Sequence, residues 1–217
     1  MNISFSQSTE ALETYDFVEV ALNIAEPDVA NPFTDAVVEG HFTRADGQSI
    51  KVDGFCDSDD GNVFRIRFMP TQPGDYSFSV KYRQGSQETE HSGSFTAHDA
   101  QRRGIVRVDS EYPWHFLWEG TGEHYFWNAT TTYWLIGWDE ENIFRNLDRL
   151  AALKVNRVRA VIMGRVRDGR AWYENVYPTE NFTFLLNPWK AERPDSIEDP
   201  GFDVTRFNLA HWRKYGA

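Results

Sequence analysis

The stretch that decides the fold of the first half is Phe64-Arg65-Ile66-Arg67-Phe68, followed shortly by Tyr76-Ser77-Phe78-Ser79-Val80-Lys81-Tyr82. In both runs an apolar or aromatic residue alternates with a polar one, the period-two pattern of a strand that buries one face. The interval between them contains Gln72-Pro73-Gly74-Asp75, which is turn-forming chemistry. The pattern predicts two neighbouring strands that each present one side to a core.

The same alternation extends outward through the first hundred residues. It recurs in Val18-Glu19-Val20-Ala21-Leu22-Asn23-Ile24, and turn sequences such as Ala45-Asp46-Gly47 and Asp60-Gly61-Asn62 separate the runs. We count about seven short strands and no helical segment, a pattern typical of an immunoglobulin-like β-sandwich. Residues 1–99 are therefore predicted to form an all-β immunoglobulin-like sandwich.

Composition changes near residue 100. Residues 1–100 hold 17 acidic and 6 basic side chains and so carry the whole net charge of −11, whereas residues 101–217 hold 16 of each. All eight tryptophans lie in the second part. We predict two domains, 1–99 and 100–217. The acidic balance argues against nucleic acid and anionic membranes as partners.

A strand–helix–strand pattern opens the second half. Residues 125–127 are a short apolar run, Asp139 is a potential helix cap, and apolar residues recur at helical spacing from Ile143 to Leu153. The apolar run at 155–162 reads as a second strand, and the connection is long enough for a parallel crossover. Residues 203–215 resemble a second helix. Two parallel strands cannot form a covered sheet, so this α/β segment is expected to be incomplete.

The faces of the second strand predict where its arginines point. Val158, Ala160 and Ile162 share one face, and Arg157, Arg159 and Val161 share the other. The aliphatic face should pack on helices, which leaves the arginine face toward the interior. There Arg159 could hold a catalytic carboxylate ionised, or it could pair with an ordinary structural acid.

Aromatic side chains in the second half have two possible roles. Their rings pack well in cores, but they also stack on sugar rings and line concave binding sites. Residues 164–201 have little periodicity, and a long irregular segment of this kind usually carries function. The sugar-binding interpretation is therefore strongest for Trp172 and Trp189, which lie in this segment.

Cofactor, metal and membrane signals are missing from the sequence. The single cysteine, Cys56, excludes an intramolecular disulfide and a cysteine-built zinc site. Asp57-Ser58-Asp59-Asp60-Gly61 starts like a calcium loop, but Phe68 stands where the loop needs glutamate. We predict no cofactor and no metal site. With no signal-peptide pattern and no run of roughly 18–20 apolar residues, the chain is expected to be soluble and to carry no targeting signal.

Four short motifs resemble a known family. They are Asn31-Pro32-Phe33, Gly54-Phe55-Cys56-Asp57, Arg65-Ile66-Arg67-Phe68-Met69-Pro70 and Pro73-Gly74-Asp75-Tyr76. They are similar to the immunoglobulin-like domain of unknown function that precedes apiosidase-like glycoside hydrolase barrels. The resemblance continues at 125–134 and 153–159, which are similar to the first two barrel strands. Cys56 and Asn128-Ala129 depart from the family, which has an aromatic residue and more often glycine there.

The resemblance implies the N-terminal part of an apiosidase-like glycoside hydrolase, a sandwich followed by an incomplete TIM-type βα barrel. Such enzymes hydrolyse O-glycosidic bonds in polysaccharides with two carboxylates, here expected after later strands beyond this chain. We therefore predict no catalytic residue in the chain and no activity of the chain alone. Its partners would be an oligosaccharide or polysaccharide and the remainder of the barrel. Arg159 would support the nucleophile, and the predicted substrate-binding residues are Tyr133, Trp134, Arg159, Trp172 and Trp189.

Two other functions stay open. A non-catalytic carbohydrate-binding module would use the aromatic-rich half as a sugar platform, and its binding would be lost on Trp172→Ala and Trp189→Ala. A structural or interaction protein would instead use the acidic sandwich to pack on a partner. That protein would have no sugar affinity and a strongly concentration-dependent mass.

Overall fold

The computed structural model describes residues 2–165 and 180–216. Contacts divide the chain into two compact units, Met1–Phe126 and Trp127–Ala217. The first unit is built from strands. They are β1 (Ile3–Gln7), β2 (Ala11–Glu13), β3 (Val18–Ile24), β4 (Ala36–Arg44), β5 (Ser49–Asp53), β6 (Phe55–Cys56), β7 (Val63–Phe68), β8 (Gly74–Gln84), β9 (Gln87–His98), β10 (Val106–Val108) and β11 (Phe116–Trp118).

Nine of these strands form two sheets. One sheet has the order β1-β3-β7-β6 and the other β2-β9-β8-β4-β5. In the first sheet β3 and β7 are antiparallel, and Val20 lies opposite Ile66, both fully buried. Their sequence neighbours Ala21 and Arg65 lie on the other face and are only half-buried. The strand-rich character and the period-two burial predicted for the first half are confirmed.

The two sheets face each other across one aromatic core. Phe42 of β4 stacks on Phe68 of β7 with ring centroids 4.4 Å apart. Tyr82 of β8 meets Phe64 of β7 edge-on at 5.2 Å. Because the partners in each pair belong to different sheets, these contacts join the layers. Each fully buried ring of this size contributes about 1.5–3 kcal/mol of transfer free energy.

The chain crosses from one sheet to the other at Gly54, which separates β5 from β6. The Gly54 amide donates to the carbonyl of Val38 at 2.8 Å. A Cβ atom here would lie 2.7 Å from the carbonyl oxygen of Arg65 and 2.7 Å from Cγ1 of Val38. Backbone atoms cannot give way as a flexible side chain can, so the crossing requires glycine.

A small hairpin of β10 and β11 completes the first unit. The ring of Tyr15 occupies the space beside Gly104 and Gly120, where an added Cβ would lie 2.6 Å and 2.7 Å from ring atoms. This packing ties the hairpin to the sheets, so the contact boundary falls after Phe126. The boundary that composition predicts, between residues 99 and 100, lies earlier in the chain, just after β9 ends at His98.

The second unit begins with strand–helix–strand. Its described elements are β12 (Ala129–Thr131), a 3-10 turn (Leu135–Gly137), α1 (Glu140–Ala152), β13 (Arg157–Arg159), β14 (Gly164–Arg165), β15 (Leu185–Leu186), β16 (Trp189–Ala191), β17 (Phe202–Phe207) and α2 (Leu209–Arg213). β12 and β13 pair in parallel with α1 between them in the chain. The predicted βαβ unit is confirmed. Its helix cap is also confirmed, because the Asp139 carboxylate accepts from the Asn142 amide at 2.9 Å.

Two local predictions in this region are wrong. The first strand lies at Ala129–Thr131 and not at 125–127, because the Tyr125 amide donates to Phe116 of the hairpin instead. The first part of the helix expected at 203–215 is instead the strand β17, which ends at Phe207, and the helix α2 holds only five residues. The Asp203 carboxylate accepts from the amide and hydroxyl of Thr205, a local pairing that competes with helix formation.

We expect Gly54→Ala to lower the free energy of unfolding by about 1–3 kcal/mol, since the added methyl group overpacks the sheet crossing. Urea denaturation followed by circular dichroism measures this. The control is Asp53→Ala, at the preceding and highly exposed position (79% exposed side chain), which should change stability by less than about 0.5 kcal/mol. Equal stability of Gly54→Ala and the native chain would contradict the packing argument.

Candidate functional site

The carboxyl ends of β12 and β13 lie side by side. Their register places Thr131 opposite Arg159, the last residue of each strand. The ladder continues beyond them, because the Val161 amide donates to the carbonyl of Tyr133 at 3.0 Å. Ligand sites of α/β folds form at the carboxyl ends of parallel strands. We refer to Thr131, Tyr133, Trp134 and Arg159 as the strand-end site.

Helix α1 determines which face of the strands is left for this site. Val158 of β13 packs against a cluster of Leu135, Ile136 and Ile143, and Ile143 comes from α1. The prediction that the aliphatic face packs on the helix is thus confirmed at Val158. It does not extend to the end of the run, because Ile162 remains 51% exposed.

The two arginines of β13 each lie over an aromatic ring. The guanidinium carbon of Arg159 is 5.2 Å from the ring centroid of Tyr133, and that of Arg157 is 3.9 Å from Trp127. At exposed positions such cation–π contacts contribute about 0.5–1 kcal/mol. Within residues 2–165 and 180–216, neither arginine forms an ion pair with a carboxylate. The ring therefore orients the Arg159 cation without neutralising it.

Trp134 is both a packing residue and a wall of a cleft. Its indole meets Phe184 edge-on at 5.0 Å, and a Cβ at Gly164 would lie 2.4 Å from the ring. These neighbours fix the ring in one orientation. The open cleft beside it has a volume of about 320 Å3. It is lined by Thr131, Thr132, Tyr133, Trp134, Leu135, Trp138, Asn146, Phe182 and Phe184.

The predicted sugar-binding residues are only partly brought together. Tyr133 and Trp134 share the cleft, and Arg159 joins them through the ring of Tyr133. Trp189 lies on β16, where it packs edge-on against Phe202 at 5.8 Å and is not part of the cleft lining. Trp172 lies outside the described residues. The sugar-binding roles of all five side chains stay predictions.

Sequence reasoning missed some of the cleft. Thr131 and Thr132 belong to a run of three threonines at the end of β12, and this polar signal at a strand end could have indicated the site. Phe182 comes from a distant stretch and reaches the cleft through a bridge between its backbone and that of Trp138. No local pattern in the sequence indicates that contact.

Arg165 anchors the segment that follows the cleft. Its guanidinium donates to the carbonyls of Ser196 at 2.8 Å and Pro194 at 2.6 Å, and also to the side-chain oxygen of Asn187. Burial lowers the pKa of this guanidinium, while Asp195 opposes the shift. Its donors thus organise residues 187–196 around one cation.

The C-terminal segment holds the backbone that follows β13 and the 3-10 turn through hydrogen bonds. The Tyr215 hydroxyl donates to the carbonyl of Val161 at 3.0 Å, and the Lys214 ammonium donates to that of Trp138 at 3.1 Å. His211 is buried here, and within the part of the chain that the structure describes its Nε2 has no hydrogen-bond partner. Burial lowers the pKa of His211, a hydrogen bond to Ile162 opposes this shift, and Lys214 adds to it.

Part of the first unit matches a family model. Residues 11–83 match a domain of unknown function, DUF5060. No curated protein matches the chain significantly. The match covers strands β2 to β7 and most of β8 and lies within the first unit.

A solved protein shares the fold of nearly the whole chain. A crystal structure from Bacteroides vulgatus ATCC 8482, described as a "putative glycoside hydrolase", superposes on 96% of this chain with a TM-score of 0.74 and 24% identity. At this identity the likeness shows the fold alone. The chain spans 38% of the length of that protein.

Other solved structures cover a smaller share of this chain. CopC from Methylosinus trichosporium OB3b covers 46% of this chain and 98% of its own, at TM-score 0.32 and 8% identity. A DUF4426 family protein from Pseudomonas aeruginosa PAO1 covers 43% and 86%, at TM-score 0.30 and 14% identity. These scores are too low to support an argument about function.

None of the helices in the described ranges has the length and apolar character needed to cross a membrane. In the same residues, no group of three or more His, Cys, Asp or Glu side chains is placed to hold a metal ion.

The buried His211 predicts a pH effect on stability. Its pKa lies below the ordinary value of 6.5, so the folded state disfavours the charged form. As the pH falls from 7 to 5, the unfolded chain binds this proton first and the free energy of unfolding falls. Urea unfolding followed by tryptophan fluorescence should show a shallower pH dependence for His211→Gln than for the native chain. His98→Gln, at an exposed position, is the control and should keep the native slope. An unchanged slope in His211→Gln would show that His211 does not contribute.

Proposed function

We propose that this chain is the N-terminal part of a polysaccharide-degrading glycoside hydrolase of the apiosidase-like type. In this proposal the two-sheet unit is an immunoglobulin-like sandwich, and the second unit is the first βαβ portion of a TIM-type βα barrel. The observation that carries the proposal is the parallel β12–α1–β13 unit, which presents Arg159 and Tyr133 at the carboxyl ends of its strands.

The fold likeness supports this proposal. The Bacteroides vulgatus protein described as a "putative glycoside hydrolase" shares the fold over 96% of this chain. Because the chain spans only 38% of that protein, an activity of the whole protein is carried over here as a proposal. Two of the segments similar to apiosidase-like proteins, residues 125–134 and 153–159, contain the residues of the strand-end site and point to the same class.

The chemistry of the strand-end site fits a supporting role in glycoside hydrolysis. That reaction needs one carboxylic acid to protonate the leaving oxygen and a second carboxylate as nucleophile or base. Thr131, Tyr133, Trp134 and Arg159 supply hydroxyls, aromatic faces and a cation, but no carboxylate. The two acids would come from later strands of the whole protein. The chain alone would then bind sugar without cleaving it.

Arg159 would act on one of those acids by electrostatics. A guanidinium held near a carboxylate favours its ionised form, which is the form a nucleophile requires. The ring of Tyr133, 5.2 Å from the guanidinium carbon, orients that cation before a substrate arrives. Arg159 is therefore a positioning residue for the catalytic carboxylate. The fixed indole of Trp134 would offer its face to a sugar ring in the cleft.

The test is Arg159→Ala in the full-length protein, assayed by release of reducing ends from a panel of plant and algal polysaccharides. We expect turnover to fall about 100-fold or more, because an electrostatic contact that acts in the transition state is lost. The matched control is Arg157→Ala, which removes an arginine from the same strand face that stacks on Trp127. That variant should stay within about threefold of the native rate, since a surface substitution away from the chemistry costs little.

Two outcomes of this test would argue against the proposal. Equal losses in both variants would show that Arg159 has no specific role. Absence of hydrolysis on every polysaccharide by the full-length protein would remove the hydrolase assignment. Circular dichroism and thermal denaturation of both variants distinguish a loss of activity from a loss of folding.

A non-catalytic carbohydrate-binding module is the second candidate, favoured by the aromatic cleft at Tyr133 and Trp134. It predicts saturable binding of polysaccharide by the full-length protein, lost on Trp134→Ala, without any release of reducing ends. The third candidate, a structural or interaction protein, predicts neither binding nor hydrolysis. Its mass in sedimentation would instead rise with concentration.

A further inference from the structure

A cluster of aromatic side chains surrounds a turn in the hairpin of the first unit. Tyr112 and Trp114 have ring centroids 6.0 Å apart, and Trp114 and His115 have centroids 6.1 Å apart. His124 completes the cluster with an edge-on contact to His115 at 5.6 Å. We call these four residues the aromatic turn. It belongs to the first unit, whereas the strand-end site belongs to the second.

The indole at the tip of the turn is largely exposed to solvent. Trp114 is 71% exposed and Tyr112 is 44% exposed. A ring of this size that stays in water does not gain the transfer free energy that burial would provide. Both side chains also carry a polar group, which suits them to a surface that contacts water and a ligand. The core explanation that applies to most aromatic residues therefore does not apply to Trp114.

The backbone beneath these rings is held by a buried carboxylate. Asp109 is 8% exposed, and it accepts from the amides of Glu111 at 2.8 Å and Tyr112 at 3.1 Å. These hydrogen bonds lower its pKa. The turn is also closed by the Asp109 amide, which donates to the carbonyl of His115 at 3.0 Å. The rings thus stand on a preorganised backbone, which reduces the entropy lost on binding a ligand.

The chemistry of the cluster matches a sugar ring. The flat indole can cover the C–H face of a pyranose, while the Tyr112 hydroxyl and the imidazole nitrogens of His115 and His124 are donors and acceptors suited to sugar hydroxyls. The charge of the first unit further restricts the class of sugar that can bind. Residues 1–100 of the same unit carry a net charge of −11, which would repel uronate polymers.

We infer that the aromatic turn is a carbohydrate-binding surface for neutral pyranose units of a polysaccharide, with Trp114 as the stacking platform. The ligand class rests on the proposed function, but the surface is separate from the residues proposed to assist hydrolysis. A surface of this kind holds a polymer on the protein without taking part in bond cleavage. Its loss should affect long polymers and spare short oligosaccharides.

The experiment uses Trp114→Ala and affinity electrophoresis of the 217-residue chain in gels containing a neutral β-glucan, xylan or galactomannan. Polygalacturonate serves as the anionic comparison. We expect the native chain to be retarded by at least one neutral polymer and not by polygalacturonate. Trp114→Ala should weaken that binding by at least about tenfold, and Trp114→Phe should restore most of it, since a ring remains. Phe17→Ala, which removes a 49% exposed ring elsewhere in the first unit, is the matched control and should bind like the native chain.

The outcomes separate this inference from the proposed function. Native binding by Trp114→Ala, or no binding of the native chain to any neutral polymer, overturns the inference while leaving Arg159-dependent hydrolysis untouched. Self-association that disappears in Trp114→Ala, without sugar binding, overturns it in favour of a protein interface. In the full-length protein, Trp114→Ala should lower hydrolysis of the polymer and not of a short oligosaccharide, whereas equal losses on both overturn the inference.

Discussion

The parallel pairing of β12 with β13 is the interaction on which the candidate site depends. It places Thr131 and Arg159 opposite each other at the ends of their strands. Because α1 packs on the Val158 face of this pair, the opposite face is left to the arginines. One helix–strand contact thereby determines that a cation, an aromatic ring and threonine hydroxyls meet at one edge. The chemistry available to the second unit follows from that geometry.

The first unit solves a different physical problem, the joining of two sheets. Contacts between Phe42 and Phe68 and between Tyr82 and Phe64 fill the space between the layers with rings. The crossing at Gly54 lets one chain contribute adjacent strands to both sheets, which a side chain at this position would obstruct. The same unit also carries the hairpin whose exposed rings stand outside the core. Aromatic residues therefore serve two purposes in one unit, depending on whether a second layer covers them.

The two proposals assign different roles to the two units. In the proposed function the strand-end site would orient a cation for a carboxylate, and in the further inference the aromatic turn would offer a preorganised platform for a neutral sugar. Both rely on backbone that is held by unrelated contacts, the parallel ladder in one case and the buried Asp109 carboxylate in the other.

Local pattern was enough to predict the elements whose partners lie nearby or whose period is strict. The alternation through Val20 and Ile66 predicted buried strand faces, and Asp139 predicted the start of α1. Strand period, together with the aliphatic character of the opposite face, predicted that Arg159 lies on the face of β13 that does not pack on the helix. The tertiary structure decided the rest, because those features depend on distant contacts. It made 202–207 a strand by pairing it with β16, set Trp189 against Phe202, and brought Phe182 to the cleft. Which aromatic rings stay exposed, Trp114 above all, is likewise decided by what the rest of the fold covers, and no local pattern encodes that.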